Sequence, residues 1–328
     1  MHRRLIKLLG ISLSALCIAS PVQAQEPYPT KSVRVIVPFP TGNAVDMVAR
    51  LSADILQAKY GQSFVVENRP GAKGIIGIRM AAEQPRDGYT LVGGGLGNVL
   101  PIATLRNLPI DIAKTLVPVG QVAEFANVFI VRANSPLNTI DDLIKYIKSK
   151  PAGHVTMGAG DIGSSAHMAM ALFEDRTGLD VTHVPYRSQG EIVVNLVGET
   201  LDVGISSVPA ALSMLRGGRV KALAITSTKR SKHIPEVPTM QESGVKDYNV
   251  SSWLGLYATS GTPQNIVDQL GRDLFDGLKN PSYAEKVEAA GMELSPLGPK
   301  EFAELNQAEI ERWSKFAEQI GAVSTFAE

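Results

Sequence analysis

Four of the five positions from Val33 to Val37 are apolar, with only Arg34 between them. A short apolar run that ends in turn residues predicts a buried strand. The turn is Pro38-Phe39-Pro40-Thr41-Gly42-Asn43, and beyond it Val45, Val48, Ala49, Leu51 and Ile55 fall at helical spacing. Residues 62–68 and 89–92 predict two more strands, with a short helix at 75–83 between them and a flexible glycine turn at 93–98 after them. Strands alternating with helices across short links predict a parallel sheet with helices on its faces.

The apolar run 117–131, broken at Gly120 and Glu124, predicts a strand that leaves a first domain and enters a second. Thr139 then caps a helix, with Asp142 three residues on, and Pro151 stops it. A strand at 154–158 runs into Ala159-Gly160-Asp161-Ile162-Gly163-Ser164-Ser165-Ala166-His167, which opens a helix reaching about Thr177. Strands at 181–186, 201–206 and 221–226 alternate with helices at 191–197 and 210–215. The polar, proline-bearing stretch 227–238 predicts a return crossing into the first domain. A strand at 253–258 follows, then helices, with Pro263 at a helix start, Pro281 after a helix end and a last helix at 300–320.

Two of these strand–turn–helix units share a device. After 33–37 and again after 154–158, a glycine turn feeds amide or hydroxyl side chains into a helix start. The first N–H groups of a helix lack internal partners, and the dipole makes that end attractive to a carboxylate or phosphate. One such turn is common in α/β proteins and need bind nothing. Two, one from each domain, can close on the same anion from opposite sides. Ligands of open parallel sheets sit beyond strand carboxyl ends, which adds Gly97, Asn98, Tyr186 and Ser206 to the candidates. Several residues keep two readings. Asp46 either steadies its helix through the dipole or touches ligand. Ser164 and Ser165 either cap or bind, and His167 packs, caps or joins the site. Trp253 reads as core first and as cleft lining second.

Composition narrows the field. Arg3, Arg4 and Lys7 precede an apolar stretch at 8–19 and then Val22-Gln23-Ala24, the plan of an export signal cleaved after Ala24. The apolar stretch falls short of the roughly 20 residues a spanning helix needs, and Leu16 before Cys17 does not suit lipid attachment. The 304 residues that remain exceed the roughly 250 of a single core, so two domains are expected. Cleavage removes Cys17, the one cysteine of the chain, which excludes disulfides, thiolate catalysis and cysteine-bound metals and favours the periplasm. The 29 basic and 32 acidic residues left are dispersed, so neither nucleic acid nor an anionic membrane is an expected partner. Scattered histidines argue against a metal site. The run Gly93-Gly94-Gly95-Leu96-Gly97 lacks a dinucleotide fingerprint, so no cofactor is expected.

Specific segments carry a resemblance. They are Tyr28-Pro29, Val37-Pro38-Phe39-Pro40 with Asp46 and Ala49-Arg50, and Val66-Glu67-Asn68-Arg69-Pro70-Gly71-Ala72 with Gly74. Asp87-Gly88-Tyr89-Thr90-Leu91, His183-Val184-Pro185-Tyr186, and Arg219 with Ala222-Leu223-Ala224 follow. Pro235-Glu236-Val237-Pro238-Thr239 with Glu242 and Gly244, Trp253 with Gly255-Leu256, and Gly261-Thr262-Pro263 complete the set. Together these resemble the substrate-binding proteins of tripartite tricarboxylate transporters, the Bug or TctC family, over essentially the whole mature chain. The resemblance implies an α/β fold of the type II periplasmic-binding-protein kind: two doubly wound lobes around a hinged ligand cleft. The chain order assigns 25–124 plus 229–328 to one lobe and 125–228 to the other, with hinges near Glu124 and Thr228.

The resemblance further implies a small carboxylate held by backbone groups and ordered waters of the two turns. Carried over, these are Phe39, Pro40, Thr41, Gly42 and Asn43 on one lobe, and Gly160, Asp161, Gly163, Ser164 and Ser165 with His167 nearby on the other. It implies a monomer that hands its ligand to a membrane permease; presentation to a sensor kinase is the alternative. This chain departs from the family pattern at Thr41-Gly42-Asn43, where Pro-Gly-Gly is usual, and at Arg187-Ser188, where Lys-Gly is usual. Asn43 tolerates a positive φ, which preserves the turn, and its side chain is placed to enter the pocket. Asp161 sets a negative charge beside the second turn, as a cap or as a partner for a ligand with a positive group. A hydrolase or isomerase using Ser164 or Ser165 with His167 is the competing class, without a Gly-x-Ser-x-Gly elbow to support it.

Overall fold

The computed structural model describes residues 28–326 apart from Arg187 and the side chain of Gln189; the export signal predicted at 1–24 lies outside them. The chain opens with β1 (Val33–Val37), α1 (Ala44–Tyr60), β2 (Phe64–Asn68), α2 (Ile75–Ala82), β3 (Thr90–Gly95) and α3 (Leu96–Thr104). A two-residue β4 (Leu105–Arg106) and a one-turn α4 (Ile112–Thr115) lead to the long β5 (Leu116–Arg132). Then come α5 (Ile140–Lys148), β6 (Thr156–Ala159), α6 (Ser165–Thr177), β7 (Thr182–Pro185), α7 (Gln189–Val197), β8 (Val203–Ser207), α8 (Val208–Arg216) and β9 (Val220–Ile225). The chain finishes with β10 (Ser251–Thr259), α9 (Gln264–Gly277), α10 (Pro281–Ala289), β11 (Glu293–Leu297), α11 (Pro299–Gln319) and β12 (Ser324–Thr325).

The strands form two lobes joined through β5. Its first part pairs with β10 and β11, in the lobe ordered β2-β1-β3-β10-β5; β1 runs parallel to β2 and β3, and β10 antiparallel. Its second part pairs with β8 and β9, in the lobe that continues β8-β6-β7. Partnership changes within one residue: Ala126 still faces Ser251 of β10, and Asn127 already faces Ser207 of β8. Helices cover both faces. Val35, Leu56, Leu256 and Leu270 lie in the core under α1 and α9, and Ile130, Ile192, Leu196 and Val208 in that under α7 and α8. The third core is shared, with Ile78, Val92, Leu100 and Phe302 contributed by one lobe and Phe129, Met157 and Phe173 by the other.

Three expectations are revised. The glycines at 93–95 are the end of β3, and α3 begins at Leu96 where a turn was expected. A Cβ on Gly95 would strike the Trp253 carbonyl, and one on Gly93 would meet Ala49 at 3.0 Å, so these glycines serve close packing. The stretch 227–238 touches both lobes instead of crossing once: Lys232 N–H donates to Glu293 Oε1 at 3.1 Å and His233 Nε2 bonds the Met292 carbonyl at 2.9 Å. Ile234 and Val237 are buried in the core under α7 and α8, and Ile225 N–H donates to the Pro238 carbonyl at 2.9 Å. The strands of the first lobe resume at β10. The edge strand β11 was not predicted, because Ser295 and Pro296 interrupt the pattern that marks a strand.

Candidate functional site

The two turns have one backbone plan. In the first, Gly42 takes φ +82° and Asn43, extended at φ −79°, caps α1 by accepting from Asp46 N–H at 2.9 Å. In the second, Gly163 takes φ +83° and Ser164, extended at φ −74°, caps α6 by accepting from His167 N–H at 3.2 Å. The glycine carries the left-handed step, so Asn43 does not need the positive φ anticipated for it, and Ser164, not Asp161, caps α6. A third feature repeats: the residue three beyond each cap turns its side chain back to the glycine. Gly42 N–H donates to Asp46 Oδ2 at 2.9 Å, and Gly163 N–H donates to His167 Nδ1 at 3.3 Å. Each cap therefore uses the third helical N–H, and the first two, those of Ala44 and Val45 and of Ser165 and Ala166, have no acceptor within their own helix.

The closing groups differ electrically. Asp46 is 2% exposed; it also accepts from Asn68 Nδ2 at 2.9 Å and Arg50 Nε at 3.1 Å. Burial pushes its carboxyl up, but the bonds from Arg50, Gly42 and Asn68 together outweigh that and hold it below the ordinary value. His167 is neutral: burial first, then His183 and Lys73, push its imidazole down to about 4. His183 is also lowered by burial, against a bond to Gly160 and the charge of Asp161. Its Nε2–H donates to the Gly160 carbonyl at 3.1 Å, and the two rings lie 4.8 Å apart. The second turn is thus gripped at both ends by two neutral imidazoles in tilted contact. Ser164 Oγ accepts from the His167 backbone and Nδ1 is held by Gly163, so these side chains do not form a nucleophile–base pair.

A cavity of about 440 Å³ lies between the turns. Phe39 and Asn43 from the first turn line it, as do Gly160, Asp161, Gly163, Ser164 and Ser165 from the second, and Gly97 and Tyr186. The other predicted residues lie off its wall. Pro40, Thr41 and Gly42 form the exposed tip of the turn, and Asp46 and His167 act behind the turns. Asn98 accepts from Gly95 N–H at 2.8 Å and lines a separate cavity with Tyr257 and Asn306, while Ser206 is fully buried next to the lining Ser207. Trp253, 3% exposed and edge-on to Phe302, is both core and lining.

Sequence reasoning passed over several lining residues, Lys73 and Asn127 among them. Lys73 is the one cation among the described lining residues, and its Nζ crosses to the second turn, donating to the Ile162 carbonyl at 2.8 Å. Its approach depends on two successive non-glycine residues in the left-handed region, Ala72 at φ 47° and Lys73 at φ 54°, a conformation costing about 1 kcal/mol each. Asn127 lies at the point where β5 changes lobes. A lysine inside a glycine-rich turn was the available signal for the first; nothing local marked the second. Among the described residues, no helix is long and apolar enough to cross a membrane, and no group of three or more His, Cys, Asp or Glu could hold a metal ion.

The family model described as "Tripartite tricarboxylate transporter family receptor" matches residues 48–322. Protein BugT of Bordetella pertussis is 35% identical over 97% of this chain and 98% of its own. Among solved structures, R. palustris Rpa4515 with adipate is similar at TM-score 0.80 and 33% identity, covering 91% of this chain and 99% of that one. MatC from Rhodopseudomonas palustris with bound malate is similar at TM-score 0.75 and 28% identity, over 88% and 99%. With a family model spanning most of its length and a relative of this identity along nearly all of it, the chain belongs to the solute-binding receptors of the tripartite tricarboxylate transporter family, the Bug or TctC proteins.

Proposed function

We propose that this protein is a periplasmic receptor that captures a small carboxylate between its lobes and delivers it to a membrane permease. One observation carries the reading: two helix starts of identical plan, one from each lobe, face a single cavity with their first N–H groups unclaimed by their own helices. Each such terminus favours an anion by about 0.3–1 kcal/mol when exposed and by up to ~2 when partly buried. Lys73 adds a full positive charge at the same rim. Adipate and malate in the two similar structures support the ligand class. The capturing residues are then Asn43, Ala44, Val45, Ser164 and Ser165 with Lys73, while Asp46 and His167 position them.

The lobes close as a hinge where the crossings meet. Asn127 N–H donates to Thr226 Oγ1 at 2.9 Å, and Thr226 Oγ1 donates to the Val250 carbonyl at 2.6 Å, so three passages of chain share one hydroxyl. These shared bonds support a hinge at 126–127, 226 and 250. Export follows cleavage after Ala24, and the receptor acts as a monomer. Titration calorimetry of the mature protein with mono- and dicarboxylates of four to six carbons tests the reading. Submillimolar binding of at least one acid is expected, and no heat from any of them would overturn it.

A further inference from the structure

Beyond the turns, the cavity is bordered by two half-buried aromatic rings, Phe39 from one lobe and Tyr186 from the other. The chain holds both in place. The Phe39 carbonyl accepts from Asn68 Nδ2 at 3.1 Å, and its ring lies over two glycines: a Cβ at Gly97 would stand 3.2 Å from Phe39 Cζ, and one at Gly74 3.5 Å. Tyr186 N–H donates to the Ala159 carbonyl at 2.9 Å, and a Cβ at Gly158 would stand 3.0 Å from Tyr186 Cε2. Neither Gly97 nor Gly158 has a positive φ, so what glycine supplies at both positions is room. Neither ring has an aromatic partner among the described residues. Val45 and Ile162, neither of them buried, add apolar wall beside each turn. Charge is sparse by contrast. Lys73 and Asp161 are the one cation and the one anion among the described lining residues, and Lys73 Nζ is bonded to the Ile162 carbonyl.

Resting on the carboxylate reading above, we propose that the ligand is an aromatic monocarboxylate, with its one carboxylate at the paired helix starts and its planar ring against Phe39 and Tyr186. Aromatic rings attract one another edge-to-face or offset-stacked, beyond what their buried area contributes. Two rings without aromatic partners of their own, one on each lobe, are placed to make such contacts with a ligand and to reward closure around it. A second carboxylate would enter the same space without a second cation and with Asp161 nearby, and a buried charge without a partner is costly. The cavity of about 440 Å³ lies in the size range that encloses ring-bearing organic ligands.

The experiment is calorimetry of the mature protein with benzoate and phenylacetate, with their saturated counterparts cyclohexanecarboxylate and cyclohexylacetate, and with adipate. The saturated rings carry at least as much apolar surface, so area alone gives the aryl acids no advantage. The better aryl acid is expected to bind at least ~5-fold more tightly than its saturated counterpart, and more tightly than adipate. Tyr186→Leu and Phe39→Leu, which keep an apolar side chain and remove the ring, are each expected to cut that preference by about 2–10-fold while leaving the saturated acid within about 3-fold. Equal affinities within both pairs would overturn the proposal, as would adipate binding most tightly, or variants that weaken aryl and saturated acids alike. The wild-type comparison does not depend on either variant folding. Binding without an aryl preference fails this proposal alone, whereas no heat from these or from the shorter acids fails the carboxylate reading beneath it.

Discussion

At Gly42 the group that closes the turn is an ionised carboxylate; at Gly163 it is a neutral imidazole. The backbone around them is nearly the same, down to the angle of the glycine and the extended cap. What differs is the charge placed directly behind each helix start. Asp46 carries a negative charge, balanced by Arg50 at 3.0 Å, so the first helix start offers N–H groups on a neutralised background. His167 contributes no charge, and Lys73 crosses from the other lobe to supply a positive one. The same turn geometry can therefore be built from either group, and at the second turn Lys73 is set against the exposed Asp161. The pairing also divides pH sensitivity between the lobes.

Removing the ionic closure should cost most. Asp46→Ala strands Gly42 N–H, the Asn68 amide and a guanidinium, and is expected to lower unfolding free energy by about 3 kcal/mol in denaturant titrations. A loss below 1 kcal/mol would mean the first turn stands without it. The second closure should show itself through pH. Between the ordinary histidine value of 6.5 and about 4, the unfolded chain binds a proton at His167 that the folded one refuses. Stability from this group is therefore complete above 6.5 and falls as pH drops, by up to about 3 kcal/mol at ~1.4 kcal/mol per pH unit. His167→Asn, which keeps an acceptor without titrating, should flatten the slope over pH 4–6.5; an unchanged slope would remove His167 as its source.

The glycines separate the turns on steric grounds. At Gly42 an added Cβ meets nothing within 4 Å, so Gly42→Ala costs only the left-handed step, about 1 kcal/mol. At Gly163 the same atom would lie 2.9 Å from Thr104 Oγ1, across the cleft, and Gly163→Ala is expected to cost about 2 kcal/mol. Equal thermal shifts for the two variants would show that this cross-cleft contact does not restrain the second turn. The smallest effect concerns charge at the rim. Asp161 is exposed, and Asp161→Asn should raise affinity for a dicarboxylate by about 2–5-fold at low salt, an effect that added salt erases. Weakened binding instead would give Asp161 a direct role with a cationic group of the ligand.

Much of this was legible in the sequence because it is local. The periodic apolar positions marked α1, and Gly42-Asn43 and Gly163-Ser164 announced turns feeding capped helices. The long apolar run at 117–131 correctly suggested a strand shared by two units. What stayed hidden depends on contacts between distant parts of the chain. Asp46 and His167 stood in the sequence as candidates to touch ligand. Their bonds back to Gly42 and Gly163, with Asn68 and His183 adding support from other elements, turn them toward the scaffold. Lys73 reaches the second turn only because two residues adopt the left-handed region, which their side chains disfavour. Asn127 gained its meaning from a change of strand partner that no periodicity encodes. The family departure at Arg187 falls on a residue outside those described.

Strand β5 is hydrogen-bonded on both sides in each lobe, to β10 and β11 along its first part and to β8 and β9 along its second. Melting either lobe frees its half of this strand up to the residue where the pairing of the other lobe begins. Heating should therefore produce a single endotherm whose calorimetric and van't Hoff enthalpies agree. Cutting the gene between the lobes would end β5 at the step where its partners change from β10 to β8. In this protein, the strand that carries the proposed hinge also ties the unfolding of one lobe to that of the other.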